Sequence, residues 1–457
     1  FPNQTYRGNQ ALSRYEFAAG LNSCLNQIER LIASQVTVIQ EDIDKLNRLA
    51  QEFEAELAVL GGRVDELEAR TAFLEDHQFS ITTKLKGEVI FALSDTFGKV
   101  DGSDPTETTW SDRVRLNFDT SFTGKDRLRT RLQAGNVPRY DAAPDEGGVG
   151  YDAARLGFDV NNDNNIEIDD LYYQTRLYDD KIEFYAGTNG LNINNIFDVY
   201  NPVLASGGTG ALSRFSRRDP IIHRGSDGAG VGAGFKFLND QISFKALYLG
   251  DDDTSSSPVE GEGIFNGSFS TGAQIGFEPI DSLGVGIVYL RSYQTAGNVD
   301  LSGDAGTDLA KNPFTSIDAD GDFVDSNAVS ADKVGLSASY DVGQWNFGLS
   351  GGVAFAKERN TSDKATLFDV SGSVSYLDLG KEGSALSITG GIVPKVVKND
   401  NVNGEDNKTP YIIEGLYKFP LNDNIIITPG AYVLINPNGD NDNNSIWATT
   451  LRTTFEF

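Results

Sequence analysis

From residue 79 to the end, apolar and polar positions alternate. In the first stretch Phe79, Ile81, Thr83, Leu85, Gly87, Val89, Phe91 and Leu93 share one face, and Lys84, Lys86 and Glu88 lie on the other. The last stretch repeats the scheme, with Trp447, Thr449, Leu451, Thr453, Phe455 and Phe457 set against Thr450, Arg452 and Glu456. A period of two is the pleat of a β-strand, and polar residues on the second face suit either a soluble sheet or a barrel around water. The pattern predicts sixteen strands, near 79–93, 110–123, 127–136, 166–178, 181–188, 229–238, 240–250, 268–278, 283–293, 330–340, 345–356, 366–377, 384–394, 409–418, 425–435 and 446–457. Their connections alternate long and short: 94–109, 137–165, 189–228, 251–267, 294–329, 357–365, 395–408 and 436–445 are long, and the rest are short turns. An even strand count with short turns at one end and long loops at the other is the bacterial outer-membrane pattern. Paired soluble sandwiches explain the alternation of residues but not that of connection length. Both barrel ends fall on the short-turn side, which the pattern places in the periplasm.

Before residue 79 the period is seven. Ile32, Ile39, Leu46, Phe53, Leu60, Leu67 and Leu74 recur at that interval, and Val36, Ile43, Ala50, Leu57, Val64 and Thr71 follow the first six by four residues. This seam predicts a coiled-coil stalk over 31–78, roughly 65 Å long at ~1.5 Å per residue. Gly61-Gly62 falls on its outward face and weakens the helix by ~1 kcal/mol per glycine, a candidate hinge. The seam leaves two or three strands open. The strict seven-residue period argues against a helix packed onto the barrel, where the pattern drifts towards 3.6.

Composition narrows the function. The chain has 457 residues, a net charge of −28 and a mean hydropathy of −0.31. No apolar run is long enough for a membrane helix, which leaves a barrel untouched as a possibility. The acidic surface argues against nucleic-acid binding. There is no Met, so a leader removed before Phe1 is expected. No phosphate-binding glycine loop or Cys/His cluster appears, and neither His77 nor His223 neighbours a nucleophile pattern. The expectation is a protein without catalysis or cofactor.

Residues 1–30 open with Ser13-Arg14-Tyr15-Glu16 ahead of Phe17, a capping box at a helix start. The run Phe1-Pro2-Asn3-Gln4-Thr5-Tyr6-Arg7-Gly8-Asn9-Gln10-Ala11-Leu12-Ser13-Arg14-Tyr15-Glu16-Phe17 resembles the second half of an S-layer-homology (SLH) domain, with Asn3-Gln4 in place of that family's Asp-Gly and Ser13 in place of its Thr. The terminal Phe457, after a Thr-rich alternating strand, resembles the assembly signal of outer-membrane barrels. Together the modules resemble the cyanobacterial SLH-domain porins, related to the carbohydrate-selective OprB family and including proteins described as iron-uptake porins. The fold so implied is all-β: a 16-stranded antiparallel transmembrane barrel over 79–457, behind a coiled-coil stalk and a partial SLH domain. The resemblance also implies a homotrimer in outer-membrane lipid that passes small hydrophilic solutes or inorganic ions. It implies binding of a peptidoglycan-linked polymer as well, with Arg14 and Glu16 at the matching motif positions; these two residues equally suit a cap and pair inside the domain. Cys24 either pairs with a cysteine of the missing half-domain, as the resemblance implies, or is a small buried residue. Two other functions compete: an anchor whose barrel is largely closed, and a selective sugar or iron channel.

The longest loop, 189–228, is the candidate constriction, carrying Asp198, Arg214, Arg217, Arg218, Asp219, His223 and Arg224. If Val114, Leu116, Phe118, Leu128, Thr130 and Leu132 face lipid, then Arg113, Arg115, Arg127, Arg129 and Arg131 face the lumen, and Arg176 does by the same parity. The opposite facing puts charge in hydrocarbon at ~2–4 kcal/mol each. Two readings of these arginines stay open: they meet the solute, or they pin the loop, with Asp198 and Asp219 as neutralising acids. Asp159, Asn161, Asp163, Glu167 and Asp170 fall near calcium-loop spacing, but Asn164 stands where that loop wants Gly. Asp318-Ala319-Asp320-Gly321-Asp322 is a weaker match. A solvated external loop is the favoured reading of both.

Overall fold

The computed structural model describes residues 81–100, 104–317, 323–324, 327–401 and 404–457. The expected half-domain 1–30 with Arg14, Glu16 and Cys24, the stalk 31–78 and the Asp318–Asp322 motif lie outside the described residues.

The strands are β1 (Thr82–Phe97), β2 (Thr109–Ser121), β3 (Asp126–Val137), β4 (Glu167–Leu177), β5 (Ile182–Leu191), β6 (Gly228–Phe237), β7 (Ile242–Asp251), β8 (Phe269–Ile280), β9 (Leu283–Gln294), β10 (Val329–Val342), β11 (Trp345–Glu358), β12 (Lys364–Leu377), β13 (Ala385–Asn399), β14 (Tyr411–Asn422), β15 (Ile425–Ile435) and β16 (Ile446–Glu456). Each is antiparallel to its sequence neighbour, and β1 pairs with β16 from Glu88↔Glu456 to Phe97↔Trp447. The sheet is therefore a closed 16-stranded barrel, with the two-residue segment Val160–Asn161 added beside β3. Gly87 and Phe457 seal the seam reciprocally, N–H to C=O, at 2.7 and 3.0 Å. The Phe457 ring covers Gly87 so closely that a Cβ there would lie 2.2 Å from it.

The strands sit where alternation predicts them, with one instructive difference. β13 continues to Asn399 instead of ending near 394. The register against β12 jumps there, from Val370↔Ile392 to Phe368↔Lys395, so Val393 and Pro394 together oppose Asp369. A bulge accommodates a proline that has no N–H to give the ladder.

Burial is inverted relative to a soluble protein. Trp110, Ile388 and Leu85 are exposed on the outside, whereas Arg452, Asp369, Lys333 and Glu414 are at most 1% exposed inside. Aromatic pairs ring both ends of the apolar band. Trp345–Tyr376 (4.9 Å) and Tyr417–Phe419 (6.1 Å) lie towards the short turns; Phe91–Trp110 (6.1 Å) and Tyr248–Phe269 (5.4 Å) lie towards the long loops. This is the surface a bilayer requires of a barrel.

The connection between β5 and β6 folds inward. It holds three one-turn helices, α1 (Ile193–Ile196), α2 (Arg214–Arg217) and α3 (Pro220–His223). Asn192 and Asn195 form a reciprocal box at α1, the Ser213 hydroxyl accepts Ser216 N–H at α2, and Asp219 accepts Ile221 and Ile222 N–H at α3. Ile193, Ile196, Phe197, Leu212, Phe215, Ile221 and Ile222 are all buried, so the loop carries its own apolar core into the lumen. Glycines on inward strand positions receive it. A Cβ at Gly352 would lie 2.8 Å from Ile221, one at Gly391 2.7 Å from Phe215, and one at Gly286 2.6 Å from the Tyr200 ring.

Polar anchors finish the seat. The Glu414 carboxylate accepts Leu212 N–H (2.6 Å), Ser213 N–H (3.1 Å) and the Ser213 hydroxyl (2.5 Å). Arg452 donates to the Gly210 and Ala211 carbonyls at 2.6 and 3.3 Å, and Thr454 donates to Gly208 O at 2.6 Å. Two predictions follow from this seating, both read by thermal melting and limited proteolysis of the folded barrel. Gly352→Ala overpacks the socket and lowers stability by ~1–3 kcal/mol. Glu414→Ala strands three buried donors, lowers stability by a similar ~1–3 kcal/mol, and makes the loop cleavable. Melting points and digestion patterns identical to wild type in both variants contradict the seating.

Candidate constriction site

The arginine row faces inward, as parity requires, and most of it is paired. Arg129 makes a two-pronged bond to Asp119, 2.8 Å on each arm. Arg131 reaches Asp169 and Asp170 at 3.0 Å each, and Asn117 at 2.8 Å. Arg115 holds Gln133 at 2.5 Å and lies 3.8 Å from Asp169. Arg127 bonds Gln174 (2.7 Å) and the Tyr172 hydroxyl (3.2 Å) with no acidic partner among the described residues. Arg176 meets Glu183 at 3.3 Å towards the short-turn rim. Arg113 is only 1% exposed; it pairs with Glu88 at 2.7 Å and donates to Phe158 O at 3.1 Å. Expected as a lumen-facing residue, it is sealed behind the loops.

The loop arginines hold backbone. Arg214 donates to Gly303 O (3.0 Å), Arg224 to Arg214 O (2.8 Å), and Arg217 to Gly157 O and Ala205 O. The bonds to Gly303 and Gly157 tie the loop to the two other long connections that fold in beside it, and the other two brace the loop on itself. Arg155, Lys311, Asp152 and Asp304 link those two connections through ion pairs of 2.5–3.2 Å.

The expected neutralising acids do something else. Asp198 pairs with Lys245 at 2.7 Å, and its carbonyl accepts Gln274 Nε2 at 2.8 Å. Asp219 caps α3 and faces Asp369. Neither touches a loop arginine. Parity reveals which strand residues point inward, but not which partner a loop residue meets after a long excursion.

The calcium candidates are not gathered. Asp159 pairs with Arg155 at 2.6 Å, Asp170 with Arg131, Asn161 joins the short strand beside β3, and Asp163 sits in a turn with positive φ. Among the described residues the close acidic group is Asp251, Asp252 and Asp253, which the sequence reading passed over.

Across the barrel from the arginine row lies a second wall that no charged motif marks in the sequence. On β10–β13 the inward positions include Ser337, Ser339, Ser350, Ser371, Ser373, Ser375, Ser387 and Thr389, beside the charged Lys333 and Asp369. Ser350–Ser371 and Ser375–Ser387 hydroxyls bond at 2.9 and 2.7 Å. The signal was present as serines on one parity of four successive strands. The lumen thus has a guanidinium side and a hydroxyl side.

Comparison with known proteins agrees with this architecture. A relative from Synechocystis, "Uncharacterized protein sll0772", is 39% identical over the whole of this chain and 85% of its own length. The Outer membrane protein SlpA of Thermus thermophilus matches only 17% of this chain and 9% of its own length, at 42% identity. Among solved structures, Pseudomonas putida OprB superposes with a TM-score of 0.54 at 10% identity, over 86% of this chain and 97% of its own. The family model "Carbohydrate-selective porin, OprB family" matches residues 40–457. The chain belongs to the OprB family of carbohydrate-selective porins, and is an outer-membrane β-barrel protein.

Proposed function

We propose that the chain is a passive-diffusion porin for small hydrophilic solutes and inorganic ions, and that its N-terminal segment tethers the outer membrane to peptidoglycan. One observation carries the pore: charged and hydroxyl side chains line the inside of a closed barrel whose outside is apolar. In this reading the short turns face the periplasm, the long loops face outward, and the stalk projects towards the cell wall. An a/d seam needs partner helices, so the stalk supports an oligomer, which we take to be a homotrimer. Arg115, Arg127, Arg129, Arg131 and Arg176 line the path, and Arg113, Arg214, Arg217 and Arg224 pin the constriction. Arg14 and Glu16 belong to the wall-binding surface.

A second reading has its own support. The inward loops bring two apolar clusters into the lumen, around Ile221 and Ile222 and around Leu212 and Phe215. A barrel so filled serves as an anchor with little flow. Planar-bilayer recording separates the two. The porin reading expects stepwise conductance from the detergent-folded protein; a silent barrel that still binds cell wall supports the anchor.

Two further outcomes are expected. In a KCl gradient, neutralising Arg129 and Arg131 with Gln shifts the reversal potential towards cation preference, because Asp119, Asp169 and Asp170 lose their counter-charges. An unmoved potential contradicts the path assignment. Deleting residues 1–30 abolishes sedimentation with purified peptidoglycan and leaves conductance intact. Retained sedimentation contradicts the tether.

A further inference from the structure

The pinning bonds account for most charged groups of the constriction loop. Among the buried polar atoms that remain without a hydrogen-bond partner are Arg218 Nε, Ser337 Oγ, Asn201 Oδ1 and His223 Nδ1. All four residues line one cleft between the loop and the hydroxyl wall of β10–β13. Buried orphans are uncommon, and four around one cleft point to a ligand.

Their neighbours fix what each can do. Asn201 Nδ2 donates to the Ser216 and Arg217 carbonyls at 3.1 and 3.2 Å, so Oδ1 is an acceptor left over. His223 Nε2 lies 3.3 Å from the Asp198 carbonyl. A carbonyl only accepts, so the ring proton is on Nε2 and Nδ1 is a bare lone pair. Burial, with Arg218 beside it, pushes the imidazole down to about 3, so the ring is neutral. Arg218 Nε donates, and the Ser337 hydroxyl donates or accepts. Among the described residues the carboxylate lining the cleft is Asp219, and its Oδ1 is committed to Ile221 and Ile222 N–H at 3.0 and 3.1 Å. Around Arg218 the guanidinium of Arg214 adds positive charge, and Asp227 is the acid that offsets it.

The cleft therefore offers a cation, a hydroxyl and two acceptors. We propose that it is a subsite for a compact oxyanion that still carries a proton, of the class of dihydrogen phosphate or hydrogen carbonate. The anion's oxygens accept from Arg218 and Ser337, and its O–H donates to Asn201 Oδ1 or His223 Nδ1. Sulfate and chloride bring no donor and leave both acceptors unpaired, a penalty that hydrogen-bonding sites convert into discrimination. Of the lining residues, Tyr200 carries the phenol ring a sugar would stack on. Tyr200 offers no stacking face, because its ring is seated against Gly284 and Gly286 and its hydroxyl bonds Glu278 at 3.1 Å.

This subsite rests on the porin reading for its access to solute, so the test separates the two. Sodium phosphate at pH 6 and sodium sulfate are titrated calorimetrically into the detergent-folded full chain, and each is added to the KCl current in bilayers. Phosphate is expected to bind and to reduce the current, with sulfate at least ~10-fold weaker. Arg218→Gln is expected to weaken phosphate by ~10-fold or more, and Arg218→Lys by less. Ser337→Ala, which leaves the barrel charge unchanged, weakens it by ~3-fold or more. Equal binding of phosphate and sulfate overturns the proposal, as does unchanged phosphate binding by Arg218→Gln with a wild-type melting curve. A chain that binds phosphate but does not conduct keeps the subsite and loses the porin. A conducting chain that ignores phosphate does the reverse.

Discussion

A peptide group inside hydrocarbon has no water to bond, so a strand there must be paired on both sides or not exist. Pairing of β1 with β16 meets that demand for the whole sheet. Once the sheet closes, its side chains divide by parity into a lipid set and a lumen set, and the same division decides where charge can go. The buried Arg452, Lys333 and Glu414 and the exposed Trp110 and Ile388 are two results of that one constraint. The long connections must then emerge at one rim, and 137–165, 189–228 and 294–329 turn back into a lumen wide enough to admit them.

What fills the lumen behaves like a second, smaller protein interior. The loop supplies isoleucines and phenylalanines, the wall supplies glycine sockets, and Glu414 and Arg452 satisfy backbone that water otherwise reaches. Ion pairs inside such a space weigh more than on a surface, because solvent screens them less. Net charge over the chain is thus a poor guide to the pore. The acidic total of −28 coexists with an inner wall of arginines, each facing mostly local partners.

Alternation and connection length made the barrel legible, down to Pro394, where a local rule against proline in a central strand lost to a bulge. Parity alone placed Arg129, Arg131 and Arg176. The partners of Asp198 and Asp219 were illegible, since a contact such as Asp198–Lys245 joins residues 47 apart through a path that only the folded loop defines. The glycine sockets were equally hidden. Nothing in the sequence marks Gly352 and Gly391 as the positions whose missing side chains leave room for Ile221 and Phe215. The hydroxyl wall is written in the sequence only as serines on one parity of β10–β13, with no charge pattern to set it apart from a polar strand face.

The clamp on Gly208 and Gly210 sets an order of events. Its donors, Arg452 and Thr454, belong to the final strand, 242 and 246 residues beyond the carbonyls they hold. During synthesis the loop exists long before its fasteners do, and those fasteners come into place only when the last strand meets the first. This part of the loop's seat is therefore complete only when the circle is.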